Sequence, residues 1–191
     1  MHDAERTANL LGAAALAVSD VALVGADGVP GVSRSGMAAL VVLSDVPGLG
    51  VTELGRRVGL TQSAAARMVD SLEEAGLVRR RRGAGRGVPV AVTERGGEAA
   101  RAVLSARGAP LAELVGVLDE EERASLDVLL GKLLAALYER VGNAELMCRM
   151  CDRACCVRGA VCPVGQAERD RRSRASGGGG EVRDAREGGE G

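Results

Sequence analysis

Five cysteines, Cys148, Cys151, Cys155, Cys156 and Cys162, crowd into the stretch "MCRMCDRACCVRGAVCPVGQ" of a 191-residue chain that has no others. Sulfur at this density forms disulfides, holds a metal or reacts. Cys148 and Cys151 stand in C-x-x-C spacing, so both thiolates can reach one ion from a helix end, and a loop containing Gly159 can return Cys162 to them. Zinc in an all-cysteine tetrahedral site is the first chemistry this implies, because it would stabilise a segment too small and polar to fold alone. The compact spacing and the final Cys162-Pro163 also fit iron–sulfur ligation. Arg149, Arg153 and Arg158 predict lowered thiol pKa values, which keeps a metal-free redox role open. An odd cysteine count leaves one unpaired in any internal disulfide set, so a reducing, cytoplasmic setting is expected.

Other chemistry is poorly provided for. His2 is the only histidine and sits at the chain terminus, which argues against Ser-His catalysis. The C-x-x-C follows a helix pattern rather than a strand, unlike a thioredoxin-type motif, and "GAGRGVP" is not a dinucleotide fingerprint. No enzyme is expected.

Charge points elsewhere. The net charge of −1 hides a polarised chain. Residues 51 to 95 carry nine arginines (56, 57, 67, 79, 80, 81, 82, 86 and 95) against five acids (53, 70, 73, 74 and 94), an excess of four positive charges. Five of these arginines fall between 79 and 86 with no acid among them, as a nucleic-acid contact would require.

The elements that would carry these groups are mainly helical. Phe and Trp are absent and Tyr138 is the sole aromatic, so the core must be built from Ala, Leu and Val. Leu11, Ala14, Ala15, Val18, Val21 and Ala22 recur at helical spacing, a first amphipathic helix over 6–24 that needs a partner surface. Asp20 interrupts this apolar run, and Asp3 and Glu5 precede it, so neither a membrane span nor a signal peptide is expected. "SRSGMAALVVLSDV" supplies a second helix, ending before Pro47-Gly48.

"VTELGRRVGLTQSAAARMVDSLEEAGLVRR" reads as a short helix at 52–58, a tight connection at Gly59-Leu60 and a longer helix capped by Thr61. On that helix Ala65, Met68, Val69 and Leu72 form the buried stripe, turning Gln62, Ser63, Ala66, Arg67 and Ser71 outward. "LVRRRR" and "VPVAVT" are short strands around a "GAGRG" tip, a β-wing whose Arg86 can reach a minor groove. A helix follows from Thr93 to about Gly108, with a break or kink expected at Pro110. Asp119 and Glu122 form a capping box for the next, whose Leu126, Leu130, Leu133, Leu137 and Val141 make a seam suited to a dimer interface. Residues 173–191 are Gly-rich and charged, and are expected to be disordered.

The run from "LTQSAAARMVDSLEEAGLV" through an Arg-rich wing to "TERG" resembles the winged helix-turn-helix core of the multiple antibiotic resistance regulator (MarR) family, over about residues 33–107. The resemblance implies a mainly α fold with a small β-wing, flanked by dimerisation helices at 6–24 and 110–145, and a cysteine-rich element at 146–166. It implies a homodimeric repressor on a pseudo-palindromic operator in double-stranded DNA, with Gln62, Ser63, Ala66, Arg67 and Ser71 facing the major groove and Arg86 at the wing tip. A small-molecule effector is implied too. The tip departs from the family pattern in lacking an acid beside Arg86. A similar cysteine tail in related regulators selects Cys148, Cys151, Cys156 and Cys162 as ligands and leaves Cys155 spare. The competing reading is a metal-binding scaffold or adaptor whose winged helix contacts protein; DNA affinity that falls steeply with salt separates the two.

Overall fold

A computed structural model describes residues 2–24, 29–81 and 88–177. In chain order the elements are α1 (His2–Val24), α2 (Arg34–Asp45), α3 (Val51–Val58), α4 (Gln62–Glu74), β1 (Val78–Arg80), β2 (Val90–Val92), α5 (Glu94–Val115), α6 (Glu120–Val141), α7 (Ala144–Met147), α8 (Arg153–Cys156) and α9 (Pro163–Gly177).

Hydroxyl and carboxylate caps fix where the helices begin, Thr61 and the Asp119–Glu122 pair as expected. Ser33, Thr61 and Thr93 accept from the backbone N–H groups of Gly36, Ala64 and Gly96 and open α2, α4 and α5. Asp119 and Glu122 complete the capping box of α6. Thr93 also donates to the Gly76 carbonyl at 2.8 Å, tying the start of α5 to the chain entering the wing. Here α5 approaches so closely that a Cβ on Gly96 would lie 1.9 Å from the Leu77 carbonyl oxygen.

The main core lies between α2, α3, α4, α5 and the two-stranded sheet, with Met37, Leu40, Leu43, Leu54, Val69, Val78, Val90 and Val103 essentially inaccessible. β1 and β2 pair antiparallel, Val78 opposite Val92 and Arg80 opposite Val90, and Gly50 bridges Pro89 as a third edge. A second, smaller core gathers Tyr138, Ala144, Val164 and Ala167 from α6, α7 and α9.

Two expectations need correction. α5 runs unbroken through Pro110 to Val115. Proline there forfeits one bond, to the Ala106 carbonyl, and the helix continues without it. Residues 173–177 are also not disordered, since they complete α9, where Arg174 donates to Glu139 on α6 at 2.7 Å. Residues 178–191 lie outside the described residues. No described helix is long and apolar enough to cross a membrane.

The described residues leave the α6 seam largely uncovered. Leu130, Leu133, Leu137 and Val141 are 43%, 41%, 48% and 47% exposed, and Leu10, Leu11, Leu16 and Val21 of α1 are exposed as well.

Candidate functional site

The first candidate surface is the outer face of α4. Gly59 takes the left-handed conformation (φ 77°) that ends α3, and Thr61 restarts the chain as α4 two residues later. The two helices pack closely, because a Cβ on Gly55 would meet the Ala65 methyl at 2.6 Å. Ala65, Met68, Val69 and Leu72 turn into the core, so Gln62, Ser63, Arg67 and Ser71 are exposed along one face, with Ala66 half-buried among them. Ala66 has no hydrogen-bonding group, so base-edge recognition on this face rests on Gln62, Ser63 and Arg67.

The wing is less uniformly basic than its sequence implies. Arg80 is not free: its guanidinium pairs with Glu73 and, at 2.5 Å, with Asp70, while its backbone N–H donates to Glu73 at 2.8 Å. These Arg80 bonds, the backbone one foremost, hold the Glu73 carboxyl below its usual range. Both acids lie on α4, three residues apart, so Arg80 is a strut between wing and helix. Arg79 and Arg81 are exposed and have no carboxylate partner among the described residues. Arg82 and Arg86 lie outside the described residues.

The second candidate site is the cysteine element. Cys148 follows α7, Cys151 donates its backbone N–H to the Cys148 carbonyl, and Asp152 caps α8, which ends at Cys156. Gly159 (φ 71°) turns the chain back, and Cys162 precedes α9 with its sulfur accepting from Gly165 N–H at 3.4 Å. Cys148, Cys151, Cys156 and Cys162 thereby line one cleft of about 270 Å³ together with Glu145 and Glu168. Their thiols interact in sequence: Cys148 with Cys162, Cys162 with Cys156, Cys156 with Cys151. Cys155 is exposed and outside the cleft.

Burial, and then mutual repulsion, push the Cys148 thiol up to about 11 and Cys156 up to about 12, and raise Cys151 as well. Arginine activation was the expectation, and the balance runs the other way. Arg153 does lower Cys148, but it is spent on Asp45 at 2.7 Å, and Arg149 is turned to the Leu146 carbonyl. Thiols that resist ionisation, as those of Cys148, Cys151 and Cys156 do, are poor free nucleophiles; a cation in their midst would remove both obstacles to thiolate formation. The donor chemistry therefore fits a soft divalent metal. Among the described residues no three His, Cys, Asp or Glu side chains are placed so that they could hold a metal ion together, so ligation requires the sulfurs to move from where they stand.

Residues 31–87 match the MarR family. Among solved structures, the MarR-type fold is shared with Rv1404 of Mycobacterium tuberculosis, 29% identical with a TM-score of 0.57 over 72% of this chain and 92% of that one. YusO of Bacillus subtilis is 26% identical with a TM-score of 0.60, over 70% of this chain and 96% of its own. The MarR family protein Rv2887 of M. tuberculosis, solved in complex with DNA, is 24% identical with a TM-score of 0.53, over 66% of this chain and 95% of that one. No curated protein matches the chain.

Sequence reasoning missed one group of residues at this site. Glu145 and Leu146 of α7 reach the helix-turn-helix: Glu145 pairs with Arg56 at 2.7 Å and Arg57 at 3.3 Å, and Leu146 lies over Gly59. Partners so far apart in sequence leave no periodic signal.

Proposed function

We propose that the chain is a homodimeric transcription regulator that binds a pseudo-palindromic operator in double-stranded DNA, acting as a repressor. The observation that carries this reading is the division of α4: one face is the core's, and the other offers Gln62, Ser63, Arg67 and Ser71 beside a wing bearing Arg79 and Arg81. The match of residues 31–87 to a family of transcription regulators supports it, as does the DNA complex of Rv2887. The uncovered apolar faces of α1 and α6 are the dimer surface, and a small-molecule effector acts between the dimer and DNA-binding lobes.

The cysteine element holds one zinc ion per subunit through Cys148, Cys151, Cys156 and Cys162. Zinc supplies charge that stabilises the thiolates and a tetrahedral tie for a small segment. Fluorescence anisotropy on duplexes selected from a random library by the wild type tests DNA recognition. Arg67→Ala is expected to lose about 1–3 kcal/mol of discrimination between selected and scrambled duplexes. Undiminished discrimination by that variant, or affinity insensitive to salt, would count against the reading.

A further inference from the structure

The cysteine element does not hang from the end of α6; it is braced against the DNA-binding domain at four points. Glu145 holds Arg56 and Arg57 of α3, and Leu146 covers the turn at Gly59. Arg153 pairs with Asp45 at the end of α2, and Arg107 of α5 donates to the Met150 carbonyl at 2.9 Å. The element thus touches the helix-turn-helix directly at the end of α3 and reaches the neighbouring helices α2 and α5. Across Gly55 and Ala65 α3 packs on α4, and it meets α7 at its C-terminal end.

Glu145 and Leu146 stand within three residues of Cys148, and Glu145 itself lines the cysteine cleft. The backbone cannot be drawn in at Cys148 without moving α7, a single turn whose N–H bonds already end at Cys148. Drawing four sulfurs from their present positions onto one ion is such a movement, and the residue pair next to it bears on the C-terminal end of α3 and the turn at Gly59.

We propose that α7 is the lever through which occupancy of the cysteine cleft sets the position of α3, and so controls affinity for DNA. This rests on the zinc and DNA readings above. The occupied cleft holds Glu145 and Leu146 against α3 and pre-organises the domain. The empty cleft lets α7 loosen, and the helix-turn-helix must then be ordered by the DNA itself. Linkage makes the effect reciprocal: zinc raises affinity for DNA, and DNA raises affinity for zinc by the same factor.

The test uses the full chain and Zn2+ alone as the probe, with zinc content measured by elemental analysis and DNA affinity by anisotropy on the selected duplex. Removing zinc from wild type is expected to weaken binding about five- to a hundred-fold, with recovery on re-addition, and bound DNA is expected to tighten zinc by the same ratio. Glu145→Gln combined with Leu146→Ala keeps all four thiols. It is expected to retain one zinc per subunit while DNA affinity no longer responds to it. Hydrogen exchange over α3 gives a readout independent of DNA, with faster exchange expected in zinc-free wild type. One zinc per subunit with equal affinity in both states overturns the lever and leaves the metal site standing. Failure to bind zinc at all overturns both. A zinc response in the double variant equal to that of wild type rules out α7 as the route.

Discussion

Leu146 lies over Gly59 so closely that a Cβ at Gly59 would stand 2.9 Å from Leu146 Cδ1. The glycine also has φ 77°, so it meets two demands, the left-handed turn between α3 and α4 and a seat for the cysteine element. Gly59→Ala is expected to destabilise the fold by about 1–2 kcal/mol, mostly from the backbone, since Leu146 can rotate aside. Adding Leu146→Ala should recover less than half of that. An unchanged urea midpoint for Gly59→Ala would refute it.

Arg80 and Arg81 are neighbours in sequence with different expected roles. Arg80→Ala removes the strut to Asp70 and Glu73 and should lower stability by about 1 kcal/mol, leaving the salt dependence of DNA binding unchanged. Arg81→Ala should leave stability unchanged and reduce the slope of log K against log salt by about 1. A slope change of the same size for Arg80→Ala would show that its ion pairs open on DNA.

Leu133 sits midway along the exposed seam of α6. If a second copy covers that seam, Leu133→Asp buries a carboxylate there at a cost of several kcal/mol and separates the subunits. Sedimentation should change from dimer to monomer, and DNA affinity should fall with it. A variant that sediments as a dimer like the wild type would move the interface elsewhere.

The hydrogen bonds from Arg56, and after them Arg57, lower the Glu53 carboxyl from its ordinary 4.5 to about 2. A depressed folded-state value means the stabilisation is fully present above the unfolded value and is lost as pH falls toward 2. Glu53→Gln should therefore melt lower than wild type near neutrality, and the gap should close between about pH 5 and about pH 2. A gap independent of pH would show that the ion pairs contribute nothing.

Single Cys→Ser variants should divide into two groups. Cys148, Cys151, Cys156 and Cys162 face the shared cleft, and replacing any of them should remove most of the zinc, since a hydroxyl is a weak zinc ligand at neutral pH. Cys155 lies outside, and Cys155→Ser should keep it. Equal retention by all five would reject this ligand set.

Much of the fold was legible because its signals are local. Thr61 and the Asp119–Glu122 box each act within three residues, and the 65-68-69-72 stripe needs only helical periodicity. Pro110 misled because a proline's effect depends on what surrounds its ring. The wing arginines misled differently: Arg80 finds Asp70 and Glu73 only once β1 folds back along α4. The thiols were legible as a cluster by spacing, but their environment was not. Burial of Cys148, Cys151 and Cys156 outweighs the arginines adjacent in sequence, and burial is a tertiary property.

Tyr138 is the chain's only aromatic ring, and it is buried in the small core against which Cys148 and Cys162 pack. Arg171 of α9 stands over its ring at 5.9 Å from the centroid. The protein is thus almost transparent in the near ultraviolet. Its whole intrinsic fluorescence comes from one position beside the cysteine cleft. The molecule carries a built-in optical gauge of the cysteine element, readable without a label.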